Sequence, residues 1–213
     1  MQRDYYATVA EFLHEPAEFD GSGVILTHGA GGNCQSPLLV AMADALAGAG
    51  SLVIRYDLPF REKGGGGAFT PARAAADRAG IREKVIQIRT RAEGPIIMSG
   101  LSYGGRQSSM LAAEEPDLAD GLLLLSYPLH PPGRPNQLRT DHFPGLRKPA
   151  LFVSGARDPF GTPEEIAAAL KLIPAKTQLI TIQKAGHDLA KGKFDLTQVV
   201  SAVRDLLSIR RRQ

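Results

Sequence analysis

Six short runs of unbroken apolar residues punctuate this chain: VILT from Val24, LVI from Leu52, PIIM from Pro95, LLLL from Leu122, ALFV from Ala150 and LITI from Leu179. None alternates apolar with polar residues. A strand with one wet face alternates, because successive side chains point to opposite sides of a sheet. An unbroken run reads instead as a strand buried on both faces, as in a parallel sheet covered by helices.

Helical patterns fall between the runs. SPLLVAMADALAGAG has Ser36 as its N-cap, Pro37 at the first helical position and glycines at its end. TPEEIAAALKLIP repeats that grammar with Thr162 and Pro163, adds two glutamates in the first turn and stops at Pro174. RQSSMLAAEE follows the third run as a helix. A final helix opens at Asp195, with Gln198 three residues on in a capping-box pattern. It carries Leu196, Val199, Val200, Val203, Leu206 and Leu207 as one apolar stripe, which reads as core. Strand–helix alternation of this kind predicts an α/β fold with right-handed crossovers. TVAEFLHE, from Thr8, is the candidate for an added antiparallel edge strand.

Two stretches break the rhythm. REKGGGGAF, 61–69, is too rich in glycine for the interior of an element and is expected to be a loop. The stretch 127–149 holds six prolines and stands where a crossover helix belongs. Such excursions in compact domains are often functional.

With 213 residues, 43% of them hydrophobic and 22% charged, the chain fits a single domain spanning 1–213. No apolar run reaches the roughly 18 residues of a membrane span. The first fifteen residues hold no long apolar segment, so no signal peptide is expected. The single cysteine, Cys34, cannot form an internal disulfide, which fits a cytoplasmic protein; it reads as a small buried residue rather than a nucleophile. The net charge of +3 owes much to the tail IRRRQ, which reads as cations at a helix C-terminus. Without a basic stripe or any tryptophan, no nucleic-acid partner is expected, and no membrane partner.

SGLSYGG, 99–105, joins the third run to a helix. Ser102 therefore falls at a strand-to-helix turn, the setting a nucleophile elbow requires. Gly100 and Gly104 let the chain reverse, and Gly105 lets the helix pack close to the sheet. A serine hydroxyl needs a base to remove its proton, and the base needs a carboxylate to orient it. Asp158 follows the fifth run, in ALFVSGARDPFGTP, and His187 follows the sixth, in LITIQKAGHDL. Both are thus expected at the sheet edge that carries Ser102. Asp188, beside His187, is the rival acid, ranked lower because successive side chains seldom face one another. LTHGAGGN follows the first run and is expected to supply an oxyanion donor, the N–H of Ala30, paired with the N–H of Tyr103. His28 is expected to hold that loop by hydrogen bonds. A dinucleotide reading of GAGG fails, because Gln35 and Ser36 stand where a third glycine belongs.

HGAGG, RYDLPF, GLSYGG, SGARDPFG and AGHDL occur in this order across 24–190. In that order they resemble the motifs of the α/β-hydrolase superfamily, in its small dienelactone-hydrolase-like branch. The resemblance implies the α/β-hydrolase fold: a mostly parallel central sheet of about six to seven strands with helices on both faces and no large helical cap. It implies a Ser102–Asp158–His187 triad and no cofactor; no metal is expected either, because the sequence holds no metal-ligand spacing such as H-E-x-x-H. Dienelactone hydrolases carry a cysteine as nucleophile, and here that position is Ser102.

The expected function is a serine hydrolase, carboxylesterase-like, that cleaves an ester or related acyl bond of a small-molecule substrate through an acyl-enzyme. Asn33, Tyr127 and His130 are expected to border the substrate; Arg61 either borders it or is a solvated loop charge. A thioesterase or peptidase would use the same machinery. A scaffold of the same fold that has lost activity is the rival from another class. The sequence leaves the oligomeric state open.

Overall fold

The computed structural model describes residues 10–62, 70–189 and 194–209. In chain order the elements are β1 (Glu11–His14), β2 (Gly23–Thr27), α1 (Pro37–Gly48), β3 (Leu52–Tyr56), α2 (Pro59–Glu62), α3 (Pro71–Arg89), β4 (Ile96–Leu101), α4 (Tyr103–Glu114), β5 (Gly121–Leu125), β6 (Ala150–Gly155), α5 (Pro163–Leu170), β7 (Thr177–Ile182) and α6 (Leu196–Leu206). A single 3-10 turn, Phe143–Gly145, interrupts the proline-rich stretch, which is otherwise irregular as expected. Among the described residues, no helix is long and apolar enough to cross a membrane.

All six apolar runs are strands, and together with β1 they make one sheet in the order β1-β3-β2-β4-β5-β6-β7. Every neighbouring pair is parallel except β1 with β3. Ile25, Ile54, Met98, Leu124 and Phe152 face Ile81 and Val85 of α3, Leu111 of α4 and Ile166 of α5. Val24, Leu26, Val53, Ile97, Leu123 and Val153 face Leu39 and Met42 of α1 and Val199 and Val203 of α6. Two dry faces account for the unbroken runs.

The helix signals hold to different degrees. Thr162 and Glu165 form a reciprocal capping box at α5, which ends at Leu170, before Pro174. Asp195 accepts from the N–H groups of both Thr197 and Gln198. Ser36 stands at the N-cap of α1, but its side chain makes no capping bond. Arg61, expected in a loop, lies in α2; residues 63–69 fall outside the described part, as does the tail after Ile209. The longest helix, α3, was not foreseen. Its start, Thr70–Pro71, has the same cap grammar as α5, but its apolar stripe is thin: Ile81, Val85 and Ile88 are its buried aliphatic side chains.

The chain runs from β2 to β3 on one side, then crosses to β4 on the other. Ligands of α/β sheets bind beyond the carboxyl ends of strands at such a switch point. Here those ends are Thr27 and Gly100, which lie side by side. Ser102 is the one residue between β4 and α4, with φ 50° and ψ −112°. A side chain at positive φ costs about 1–3 kcal/mol unless its surroundings hold it there. The Ser102 N–H donates to Leu125 O at 2.8 Å, and its carbonyl accepts from Arg106 N at 2.9 Å. A Cβ on Gly100 would stand 2.5 Å from Gly105 N, and one on Gly104 would stand 2.5 Å from His28 O. The turn is thus pressed against both its own strand and the end of β2.

Gly104→Ala sets two effects against each other. Alanine in a helix gains about 1 kcal/mol over glycine. Overpacking against a backbone carbonyl that cannot rotate away costs about 1–3 kcal/mol. With Thr27 Cγ2 a further obstacle at 2.7 Å, the clash is expected to win. Urea unfolding should show a net loss of stability.

Candidate active site

The loops after β4, β6 and β7 converge at the carboxyl edge of the sheet. His187 Nε2 lies 2.8 Å from Ser102 Oγ. His187 Nδ1 lies 3.0 and 2.8 Å from the two carboxylate oxygens of Asp158. An ionised carboxylate only accepts, so Nδ1 carries the proton and Nε2 is left to accept from the serine hydroxyl. The Asp158 side chain is fully buried, and it also accepts from Phe160 N at 2.9 Å. The Phe160 ring lies over the His187 imidazole, centroids 4.1 Å apart and planes tilted by 30°. Gly155, at the end of β6, packs against the carbonyls of Ala185 and Gly186, where no side chain would fit. That close approach brings the loop of His187 against the loop of Asp158. Asp188 is exposed at the rim of the site, while Asp158 holds the imidazole.

A cleft of about 680 Å³ opens over Ser102. Gly29 to Gly32, Leu101, Pro159, Phe160 and Gly186 form much of its wall. The loop between β2 and α1 is rich in glycine yet tightly held. His28 is buried, and burial pushes its pKa below the ordinary value, so the ring is neutral. Its Nε2 accepts from Leu58 N at 3.0 Å, so Nδ1 bears the proton and donates to Gly29 O at 2.8 Å. In a trans peptide the C=O and the following N–H point opposite ways. Fixing Gly29 O toward His28 therefore turns the Ala30 N–H away from it, on a residue that lines the cleft. Among the described residues, nothing accepts from that N–H. Tyr103 begins α4, so its N–H is one of the outward-pointing groups of a helix N-terminus.

Further along the loop, Arg61 Nε donates to Gly32 O at 2.6 Å. Asp57 accepts from Cys34 N at 2.6 Å, and Arg55, buried beside it, donates to Cys34 O. Arg61, read from the sequence as either a neighbour of the substrate or a solvated loop charge, is here a clamp on the loop.

The three residues expected to contact substrate stand elsewhere. Tyr127 is buried against Phe143 and Phe152, and its hydroxyl donates to Arg139 O at 2.6 Å. His130 is buried too, with Nδ1 2.9 Å from Pro131 O and Nε2 3.2 Å from Glu165. Asn33 is exposed and accepts from Gln35 N, turning the loop. None of the three lines the cleft over Ser102. The proline-rich stretch folds back on the α4–α5 face rather than over the site, because its polar groups find partners there. Sequence reasoning missed Phe160 and Asp77, the latter a buried carboxylate on α3 that accepts from Tyr103 OH. No group of three or more His, Cys, Asp or Glu arranged for a metal occurs among the described residues.

The strand order, the elbow and the serine–histidine–carboxylate chain together define a protein of the α/β-hydrolase fold. A model of the α/β hydrolase domain matches residues 20–206, and the chain belongs to that family. Solved structures share the fold at low identity. A dienelactone hydrolase from Anabaena variabilis aligns at 21% identity and TM-score 0.73, over 96% of this chain and 93% of that one. Est1E from Butyrivibrio proteoclasticus, with ferulic acid bound, aligns at 20% and TM-score 0.71, over 94% of each. A serine hydrolase without a lid from Xanthomonas campestris aligns at 19% and TM-score 0.70, over 94% of this chain and 87% of that one.

Cys34 lies in the loop but is buried, and burial pushes its thiol up to about 12. A thiol with so little thiolate reacts slowly. The native protein should therefore show no titratable thiol with Ellman's reagent at pH 8, and one thiol after denaturation.

Proposed function

We propose that the protein is a serine hydrolase that cleaves an ester or related acyl bond of a small substrate through an acyl-enzyme. The hydrogen-bond chain Ser102–His187–Asp158 carries this reading. Ser102 Oγ attacks the acyl carbon while His187 Nε2 takes its proton. The carbonyl π electrons move onto oxygen, and the N–H groups of Ala30 and Tyr103 stabilise that charge. The tetrahedral species collapses, the leaving group departs with the proton from His187, and the acyl group stays on Ser102. Water then attacks with His187 again as base, which frees the acid and restores the serine. Asp158 keeps the imidazole in the Nδ1–H tautomer and stabilises its charged form.

The apolar wall of Leu101, Pro159 and Phe160 favours an uncharged hydrocarbon acyl group. The relatives' names agree with acyl chemistry: one is a dienelactone hydrolase, one holds ferulic acid, and another, from Paleococcus ferrophilus, is a monoacylglycerol lipase. The cleft has no helical insertion from the segment between β5 and β6, which suits a substrate that enters from solvent.

A fluorophosphonate probe and a panel of p-nitrophenyl esters test the reading. The wild type should label and turn over short acyl esters. Ser102→Ala should abolish labelling and lower kcat by on the order of 10⁶ with the fold retained. A purified variant that keeps more than a few per cent of turnover would refute Ser102 as nucleophile.

The two carboxylates separate cleanly. Asp158→Asn preserves shape but leaves the imidazole in the wrong tautomer, which lowers kcat by roughly 10⁴. Asp188→Asn should stay within about tenfold of wild type. The reverse ranking, measured on the same ester, would move the acid to Asp188.

A further inference from the structure

Asp77 is fully buried in α3, away from the cleft. Its Oδ2 accepts from Tyr103 OH at 2.7 Å, and its Oδ1 accepts from Phe60 N at 3.1 Å. The Phe60 ring meets His28 edge-on at 5.4 Å and Tyr103 at 5.8 Å. His28 in turn holds Gly29 O. One carboxylate thus holds Tyr103 directly and reaches His28 only through Phe60. Through the Tyr103 hydroxyl it fixes the residue whose N–H opens α4. Through the Phe60 N–H it holds the residue whose ring packs edge-on against His28, the side chain that binds Gly29 O beside the Ala30 N–H.

We infer that Asp77 is a positioning residue that sets the separation and aim of the two oxyanion donors. The inference rests on the catalytic reading of Ser102. Burying a carboxylate is costly, and desolvation raises the Asp77 pKa. An apolar residue in the same space would pack without that cost, but could not accept from two donors on separate elements. The tyrosine follows the same logic. Its side chain points away from the substrate cleft, so its hydroxyl contributes by anchoring its own backbone. Donors aimed at a developing oxyanion act only in the transition state, so a small displacement lowers kcat and spares substrate binding.

Tyr103→Phe tests this, because it deletes the hydroxyl while the ring and the backbone N–H remain. Asp77→Asn is the second variant, since it keeps the shape and one acceptor. With p-nitrophenyl butyrate, each should lower kcat about tenfold or more and leave KM within about twofold. Affinity for an alkylboronic acid, which forms a tetrahedral adduct on Ser102, should fall in parallel, while inhibition by butyrate should not change. The double variant should be no worse than Asp77→Asn alone, because the link that Tyr103→Phe removes ends on the Asp77 carboxylate. A folded Tyr103→Phe protein with wild-type kcat and boronate affinity would overturn the role of Asp77 alone, as would fully additive losses. A wild type that neither labels with fluorophosphonate nor turns over the ester panel would remove the catalytic reading itself, and this inference with it.

Discussion

The first turn of α4 rests on the end of β2. Gly104 meets the His28 carbonyl at a distance that leaves no room for a side chain, and Gly100 and Gly105 make the same demand between strand and helix. This contact sets the rest of the site. It fixes the height of Ser102 above the sheet and brings the loop after β2 beside it, so that Gly29 stands against the Ser102 side chain. The helix N-terminus and the glycine loop then face a common space. Strain at Ser102 is sustained because sheet and helix each hold one end of the residue.

A glycine-rich loop beside Ser102 needs restraint, since glycine has more backbone freedom to lose than any other residue. Restraint here comes from side chains on β3, the turn after it and α2, and from the first residue of the loop. Arg55, Asp57 and Arg61 bind successive backbone groups of the loop, and His28 binds the first. The clamps are buried or half-buried, where hydrogen bonds are stronger than in water. They leave the Ala30 N–H free to face the cleft. The loop is therefore rigid without any bulky residue that would close the pocket.

Legibility in the sequence followed the range of the forces involved. The strands were legible because burial on both faces writes an unbroken apolar run. Ser102, Asp158 and His187 were legible because each follows a strand, and the ends of parallel strands share one edge. α3 was missed because only three aliphatic side chains bury, and its other positions are mostly alanine or charged residues that trace no apolar stripe. Tyr127 and His130 were expected at the substrate because their segment replaces a helix. The segment instead turns inward, where Arg139 O, Pro131 O and Glu165 take their polar atoms. Asp77 had no signal at all: in ARAAADRAGI it reads as one more solvated charge on a helix.

The sequence by itself determined the fold class, the elbow and the order in which Ser102, Asp158 and His187 follow their strands. These depend on local rules: period, cap grammar, glycine at a tight turn. Only the tertiary structure decided which carboxylate faces His187, which way the Gly29–Ala30 peptide points, and that a buried aspartate on α3 binds both Tyr103 and Phe60. Those depend on pairs far apart in the chain. Asp158 and His187 lie 29 residues apart, and Asp77 and Tyr103 lie 26 apart. Packing of two helical layers on a twisted sheet brings such pairs together, and no local pattern encodes it.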